Sequence, residues 1–184
     1  MSKDNLQTAT LAGGCFWCTE AIFQRLKGVE SVKPGYAGGD KDDPSYEEVS
    51  SGKTGHAEAI QVEFDPTVIS YETLLRVFFA THDPTTKNRQ GNDVGPQYRS
   101  VLFYHSDEQK QTALDTIEAL KKEGKFVDIV TEVTPYSKFF PAENYHEDYY
   151  NSHRSAPYCT FVIDPKIRKL MEHFKKEVKE EYKS

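Results

Sequence analysis

The sequence predicts an α+β protein. Three observations carry this reading: strict two-residue alternation in segments such as 56–64, helical spacing between caps in segments such as 106–124, and the interleaving of the two along the chain. Residues 7–12 (QTATLA) read as a strand that ends at Gly13-Gly14, after which CFWCTEAIFQRL has helical spacing with Phe16, Ile22, Phe23 and Leu26 free to pack. Residues 29–37 (VESVKPGYA) form a second strand, and 38–55, rich in Gly, Asp, Ser and Lys, is a long loop carrying Tyr46. In HAEAIQVEF (56–64) the alternation puts His56, Glu58, Ile60, Val62 and Phe64 on one face of a third strand, and Ala57, Ala59, Gln61 and Glu63 on the other. Asp65-Pro66 turns the chain into a helix over about 70–80, capped by Ser70 and followed by a second long loop, 82–97.

YRSVLFYH (98–105) is a fourth strand, 106–124 a helix between a Ser106 cap and a Gly124 stop, and VDIVTEV (127–133) a fifth strand. An irregular aromatic stretch, 135–158, leads to a short strand CTFVI (159–163) and a charged C-terminal helix over about 165–183. The lysines at 166, 169, 175, 176, 179 and 183 read as the solvated face of that helix. The order β-α-β-β-α-β-α-β matches a ferredoxin-like sandwich core, about residues 7–160, with long loops and a C-terminal helical extension, all within one domain.

Composition narrows the function. The 184 residues, 37% hydrophobic with 11 Phe and 11 Tyr, can bury a core, and the length argues against two full domains. A formal net charge of −6 and dispersed Lys and Arg leave no basic stripe for nucleic acid or an anionic membrane. The opening MSKDNLQTAT lacks a basic segment followed by an apolar one, and no window approaches the length of a membrane span, so a cytoplasmic location is expected. The three cysteines, Cys15, Cys18 and Cys159, are too few for a disulfide scaffold and fit a chemical role in a reducing compartment.

Cys15 stands where a strand turns into a helix, facing unpaired N–H groups and the positive end of the helix dipole, conditions that favour thiolate. Cys18, three residues on, completes a Cys-x-x-Cys pair able to close into a disulfide. Redox chemistry, zinc binding and buried structural thiols all remain open on this pattern. A metal site would need further ligands, and the six histidines show no zinc-ligand spacing, so none is expected.

Four blocks, GGCFWCTE (13–20), GHAE (55–58), QGNDVGPQYRS (90–100) and AENYHEDYY (142–150), resemble the signature segments of the peptide methionine sulfoxide reductase A family, in the same order. The similarity runs from about residue 8 to 159. It implies reduction of methionine-S-sulfoxide, free or in proteins, with Cys15 as nucleophile on sulfur and Glu58 as acid. By the same resemblance Phe16 and Trp17 surround the substrate methyl group, Tyr46, Asp93 and Tyr98 orient the sulfoxide oxygen and a water, and Gly14 allows the tight turn. It further implies a Cys15 sulfenic acid, an intramolecular disulfide, no bound cofactor, and an external thiol reductant, thioredoxin or dithiothreitol. A monomer is expected. Cys159 follows a tyrosine as the family's usual resolving cysteine does, whereas Cys18 is nearer to Cys15 and stands where the common family motif has glycine, so both are candidates.

Without the motif context these residues read differently. Phe16 and Trp17 would be core aromatics, Glu58 a solvated strand carboxylate, Asp93 a turn residue, Tyr46 and Tyr98 amphipathic tyrosines, and His56 a hydrogen-bonded neighbour. Tyr145, His146, Tyr149 and Tyr150 form a cluster that either rims a pocket or simply packs. A general dithiol oxidoreductase or thiol peroxidase would account for the two close cysteines but not for Glu58 and the aromatics, and a non-enzymatic reader of oxidised methionine would need no thiol.

Overall fold

The computed structural model describes residues 5–184; the first four residues, part of the opening read above for a leader, lie outside the described residues. Strand β1 (Gln7–Gly13) passes through Gly14, whose φ of 85° only glycine adopts freely, into helix α1 (Phe16–Phe23) with Cys15 at its N-cap. Strand β2 (Val29–Ala37) follows, and the stretch read as a loop contains a short helix α2 (Tyr46–Ser50). Ser45 and Glu48 exchange hydrogen bonds at its start in a reciprocal capping box. Strand β3 (Ala57–Phe64) and helix α3 (Tyr71–Thr81), capped by Ser70, lie where the alternation and the cap place them. The second long loop folds into a two-stranded hairpin of β4 (Arg89–Gln90) and β5 (Asp93–Val94), ahead of β6 (Ser100–Tyr104) and α4 (Asp107–Lys122).

The C-terminal third departs from expectation. The fifth long strand, expected at 127–133, is β7 (Glu132–Pro135), which pairs in parallel with β6, while Val127 is 92% exposed. A further strand, β8 (Phe139–Pro141), pairs with β2 and closes the other edge of the sheet. With both edges occupied, Cys159–Ile163 is not a strand despite its β-branched and aromatic residues. It forms a wide helical turn that runs directly into α6 (Asp164–Phe174), after the short α5 (Tyr149–Ser152). Nor does the last helix reach residue 183. Lys27 N–H donates to Glu177 O (2.7 Å) and Lys179 N–H to Arg25 O (2.8 Å), which ties Val178 against Leu26 and breaks the helical path.

The six-stranded sheet runs β7-β6-β1-β3-β2-β8, antiparallel except for the β6–β7 pair. The fold is therefore a mixed α+β one. Its larger core joins Leu11, Ile60, Val62 and Phe64 to the buried faces of α1, α3 and α6, and a smaller core of Ala12, Ala37, Ala57, Ala59, Val101 and Phe103 is covered by Tyr136 and Phe139. Register sets up one row across the sheet: Gly13 pairs with Ser100, Tyr36 pairs with Glu58, and the Leu11–Ile60 pairing carried two residues on brings Gly13 level with Glu58. No described helix is long and apolar enough to cross a membrane.

Candidate active site

Cys15 lies two residues beyond Gly13 of that row, at the start of α1. The turn that delivers it is tight, because a Cβ on Gly14 would approach Gln90 Cγ to 2.6 Å. Cys15 is only 8% exposed and Glu58 2%, and the Phe16 N–H donates to Glu58 Oε1 at 3.1 Å. A carboxyl this deeply buried resists ionisation, and burial pushes the Glu58 pKa up to about 8 against the counter-pull of the Phe16 N–H. Glu58 is an acid that keeps its proton at neutral pH.

The helix N-terminus does not make Cys15 a resting thiolate, contrary to the expectation from its position. Burial raises its pKa well above the usual thiol value, reinforced by the neighbouring Cys18 and Glu58. Desolvation acts on the whole charge, whereas one short helix offers a partial one. The partner thiol moves the other way: the adjacent Cys15 thiol brings Cys18 down to about 7 against the effect of burial.

Around this pair the aromatic residues assemble as the four blocks require. Phe16 is wholly buried and packs on Tyr36 (5.8 Å between centroids), His146 (5.0 Å) and Tyr46 (6.5 Å). Its neighbour Trp17, expected with it around the substrate methyl group, is half-buried. Trp17 donates from Nε1 to His146 Nδ1 (3.1 Å), stacks on Tyr149 at 3.7 Å and meets Tyr158 edge-on at 5.9 Å. Tyr46 and Tyr98 are half-buried, and burial raises the pKa of both hydroxyls. All the expected substrate residues thus converge on one place.

Asp93 enters through a residue that the sequence did not single out. Tyr158 donates its hydroxyl proton to Asp93 Oδ2 at 2.7 Å and lies 3.6 Å from Cys18 Sγ, linking the β4–β5 hairpin to the second thiol. Cys159, next in sequence, is buried, with a pKa raised by burial; Asp164 and Cys18 are close enough to add to the shift. All three cysteines are free thiols. Tyr36 and Glu143 are the other unforeseen members. Tyr36 stands opposite Glu58 in register and donates to Glu143 Oε1 (3.1 Å), and Glu143 Oε2 accepts from the Tyr46 N–H (3.2 Å). The β2–β3 register could have exposed Tyr36; nothing local marks Glu143. His56 is a loop anchor, accepting from Gly39 N–H (3.0 Å) and bonding Lys41 O (2.7 Å). Among the described residues no three His, Cys, Asp or Glu side chains cluster as a metal ion would require.

Known proteins fit the same geometry. Residues 7–179 match the family model of peptide methionine sulfoxide reductase. A relative from Sulfolobus acidocaldarius named peptide methionine sulfoxide reductase MsrA is 56% identical over 170 residues, 92% of this chain and 96% of its own. The crystal structure of reduced Mxr1 from Saccharomyces cerevisiae superimposes with a TM-score of 0.78 at 37% identity, covering 86% of this chain and 91% of that one. Mxr1 in complex with Trx2 superimposes with a TM-score of 0.55 at 27% identity, over 80% of this chain and 87% of that one. With a family model spanning nearly its whole length and relatives of this identity, the chain belongs to the peptide methionine sulfoxide reductase family.

Proposed function

We propose that the chain reduces methionine-S-sulfoxide to methionine, with Cys15 as nucleophile and Glu58 as acid. The observation that carries this is a buried thiol and a carboxyl held protonated to about pH 8, brought together at the start of α1. A sulfoxide oxygen leaves sulfur only when protonated or strongly hydrogen-bonded, which Glu58 can supply while Tyr46, Tyr98 and Asp93 orient it. The S–O bond then breaks as oxygen passes to the Cys15 sulfur, giving methionine and Cys15 sulfenic acid. Cys15 must first lose its own proton. Cys18, the neighbouring thiol with a pKa near 7, is placed to take it.

The substrate methyl group lies against Trp17, whose other face is covered by Tyr149 and whose backing is Phe16. Cys18 resolves the sulfenic acid, expelling water and forming the Cys15–Cys18 disulfide; Cys159, packed against α1 close to Cys18, takes over the disulfide by exchange. An external dithiol returns the enzyme to its resting state. Thioredoxin suits this role, since a relative's structure holds Trx2, and dithiothreitol substitutes for it in the assay. No bound cofactor or metal is needed. Oxidised proteins and free methionine sulfoxide are the substrates, and three free thiols suit a monomer working in the cytoplasm. The four strands β6-β1-β3-β2, with α1 and α3 as the connections, supply the split βαβ order of a ferredoxin-like core within one domain, with α6 as its extension.

Chromatographic assay of wild-type protein with dithiothreitol should show methionine formed from methionine-S-sulfoxide and none from the R epimer. Equal turnover of both epimers would sink the assignment.

A further inference from the structure

An open approach reaches Cys15 on the side of the β4–β5 hairpin. It is a cleft of about 420 Å³ between the β4–β5 hairpin and the C-terminal segment, lined on one side by Gln90–Asp93 and on the other by Tyr158, Phe161, Val162, Pro165, Lys166 and Lys169. Three features of its outer wall stand apart from ordinary surface. Phe161 is 78% exposed at the rim although the turn that carries it is anchored by the buried Cys159 and Ile163. Among the described residues Lys166 and Lys169 make no ion pair. The only carboxylate in the lining, Asp93, is committed to Tyr158, and Asp83, which feels Lys169, is held by the Thr85 N–H and hydroxyl. A chain of net charge −6 thus presents a locally cationic, apolar-rimmed mouth that leads to its reactive sulfur.

We propose that this cleft receives the polypeptide flanking the oxidised methionine, and that Phe161, Lys166 and Lys169 make the enzyme favour sulfoxides with apolar and acidic neighbours. The inference rests on the assignment of Cys15 as the nucleophile. Any side chain reaching Cys15 through this opening brings its own backbone and neighbours against the rim. Lys166 and Lys169, neither drawn into an ion pair among the described residues, attract Asp or Glu there and repel Lys or Arg, while Phe161 offers contact area that costs little conformational freedom to engage. Free methionine sulfoxide has no flanking residues and gains nothing from this wall.

The test measures kcat/KM with dithiothreitol as reductant for three substrates: free methionine-S-sulfoxide and two pentapeptides with a central methionine-S-sulfoxide, one flanked by Asp and one by Lys. Wild type should prefer the Asp-flanked peptide by roughly three- to tenfold at low salt, with the preference fading as salt rises. Lys169→Glu should abolish or invert that preference and leave free sulfoxide unchanged. Phe161→Ala should lower both peptides severalfold and spare free sulfoxide. Equal use of the two peptides by wild type would overturn the proposal, as would a Lys169→Glu effect confined to thioredoxin-driven turnover, which would assign the surface to the reductant. These failures would leave sulfoxide reduction itself standing, whereas absence of turnover with every substrate would overturn both.

Discussion

The site has two walls built on different principles. The sheet wall, comprising Gly13, Tyr36, Glu58 and Ser100 with Cys15 two residues beyond Gly13, is fixed by main-chain register, so residues far apart in sequence meet as ladder neighbours. The C-terminal wall is fixed by side chains: Trp17 to His146, Tyr36 to Glu143, Tyr158 to Asp93, and the Asp148 N–H to the buried Glu20 at 2.9 Å. Register leaves little freedom to reposition a group, and it holds the acid and the nucleophile. Side-chain bonds can be exchanged one at a time, and they hold the groups assigned to binding and recycling. Substitutions in the first wall should therefore strike the chemical step, and those in the second should alter affinity or regeneration.

The largest effect within this comparison is expected for Glu58→Gln, which should slow the first turnover by about 10²–10⁴-fold at neutral pH, the usual range for loss of a general acid. Alkylation of Cys15 by iodoacetamide should continue, and its loss would instead make Glu58 structural. The same variant should melt a few degrees higher at pH 8. A carboxyl whose folded pKa is raised contributes stability that is fully present below its unfolded value and lost as pH rises through about 8, and glutamine carries no such dependence.

Cys18→Ser should come next. It should slow formation of the first methionine, since Cys15 then lacks its base, and reduce sustained thioredoxin-dependent turnover by roughly tenfold or more, since the sulfenic acid lacks its neighbouring thiol. Peptide mapping without reductant should find a Cys18–Cys159 bridge in wild type after exchange. Only a direct Cys15–Cys159 bridge would remove Cys18 from the path.

A subtler effect is expected from pH. The first-turnover rate should rise as Cys18 ionises near 7 and fall as Glu58 ionises near 8, giving a narrow bell. Glu58→Gln should lose the alkaline flank alone. The smallest effect belongs to the aromatic wall: Tyr149→Ala removes a stack of the kind worth about 0.5–1.5 kcal/mol, so KM should rise roughly two- to tenfold with kcat little changed. A fall in kcat without change in KM would place Trp17 orientation in the chemical step.

The two walls also differ in how far they were legible. Gly13-Gly14 followed by helical spacing announced the β1–α1 turn, and the alternation in 56–64 put Glu58 on the apolar face that the structure buries. Those signals are local. The strand expected at 159–163 failed because its composition suited a sheet whose edges β7 and β8 already occupy. The helix expected to residue 183 stopped early because Val178 is tied to Leu26. Tyr158 reaches Asp93 across 65 residues and Tyr36 reaches Glu143 across 107, separations at which no local pattern reports a contact. The resting state of Cys15 was misread for a related reason: its place at a helix start is visible in sequence, whereas the burial that outweighs it comes from distant segments.

The account turns on one oxygen atom moving from substrate to Cys15. Mixing the fully reduced enzyme with excess methionine-S-sulfoxide and no reductant, then counting methionine formed and thiols lost, follows that transfer. Up to two methionines and three thiols per chain are expected for wild type, because exchange to the Cys18–Cys159 bridge frees Cys15 for a second transfer, and neither for Cys15→Ser. Methionine formed at an undiminished rate by Cys15→Ser would contradict it.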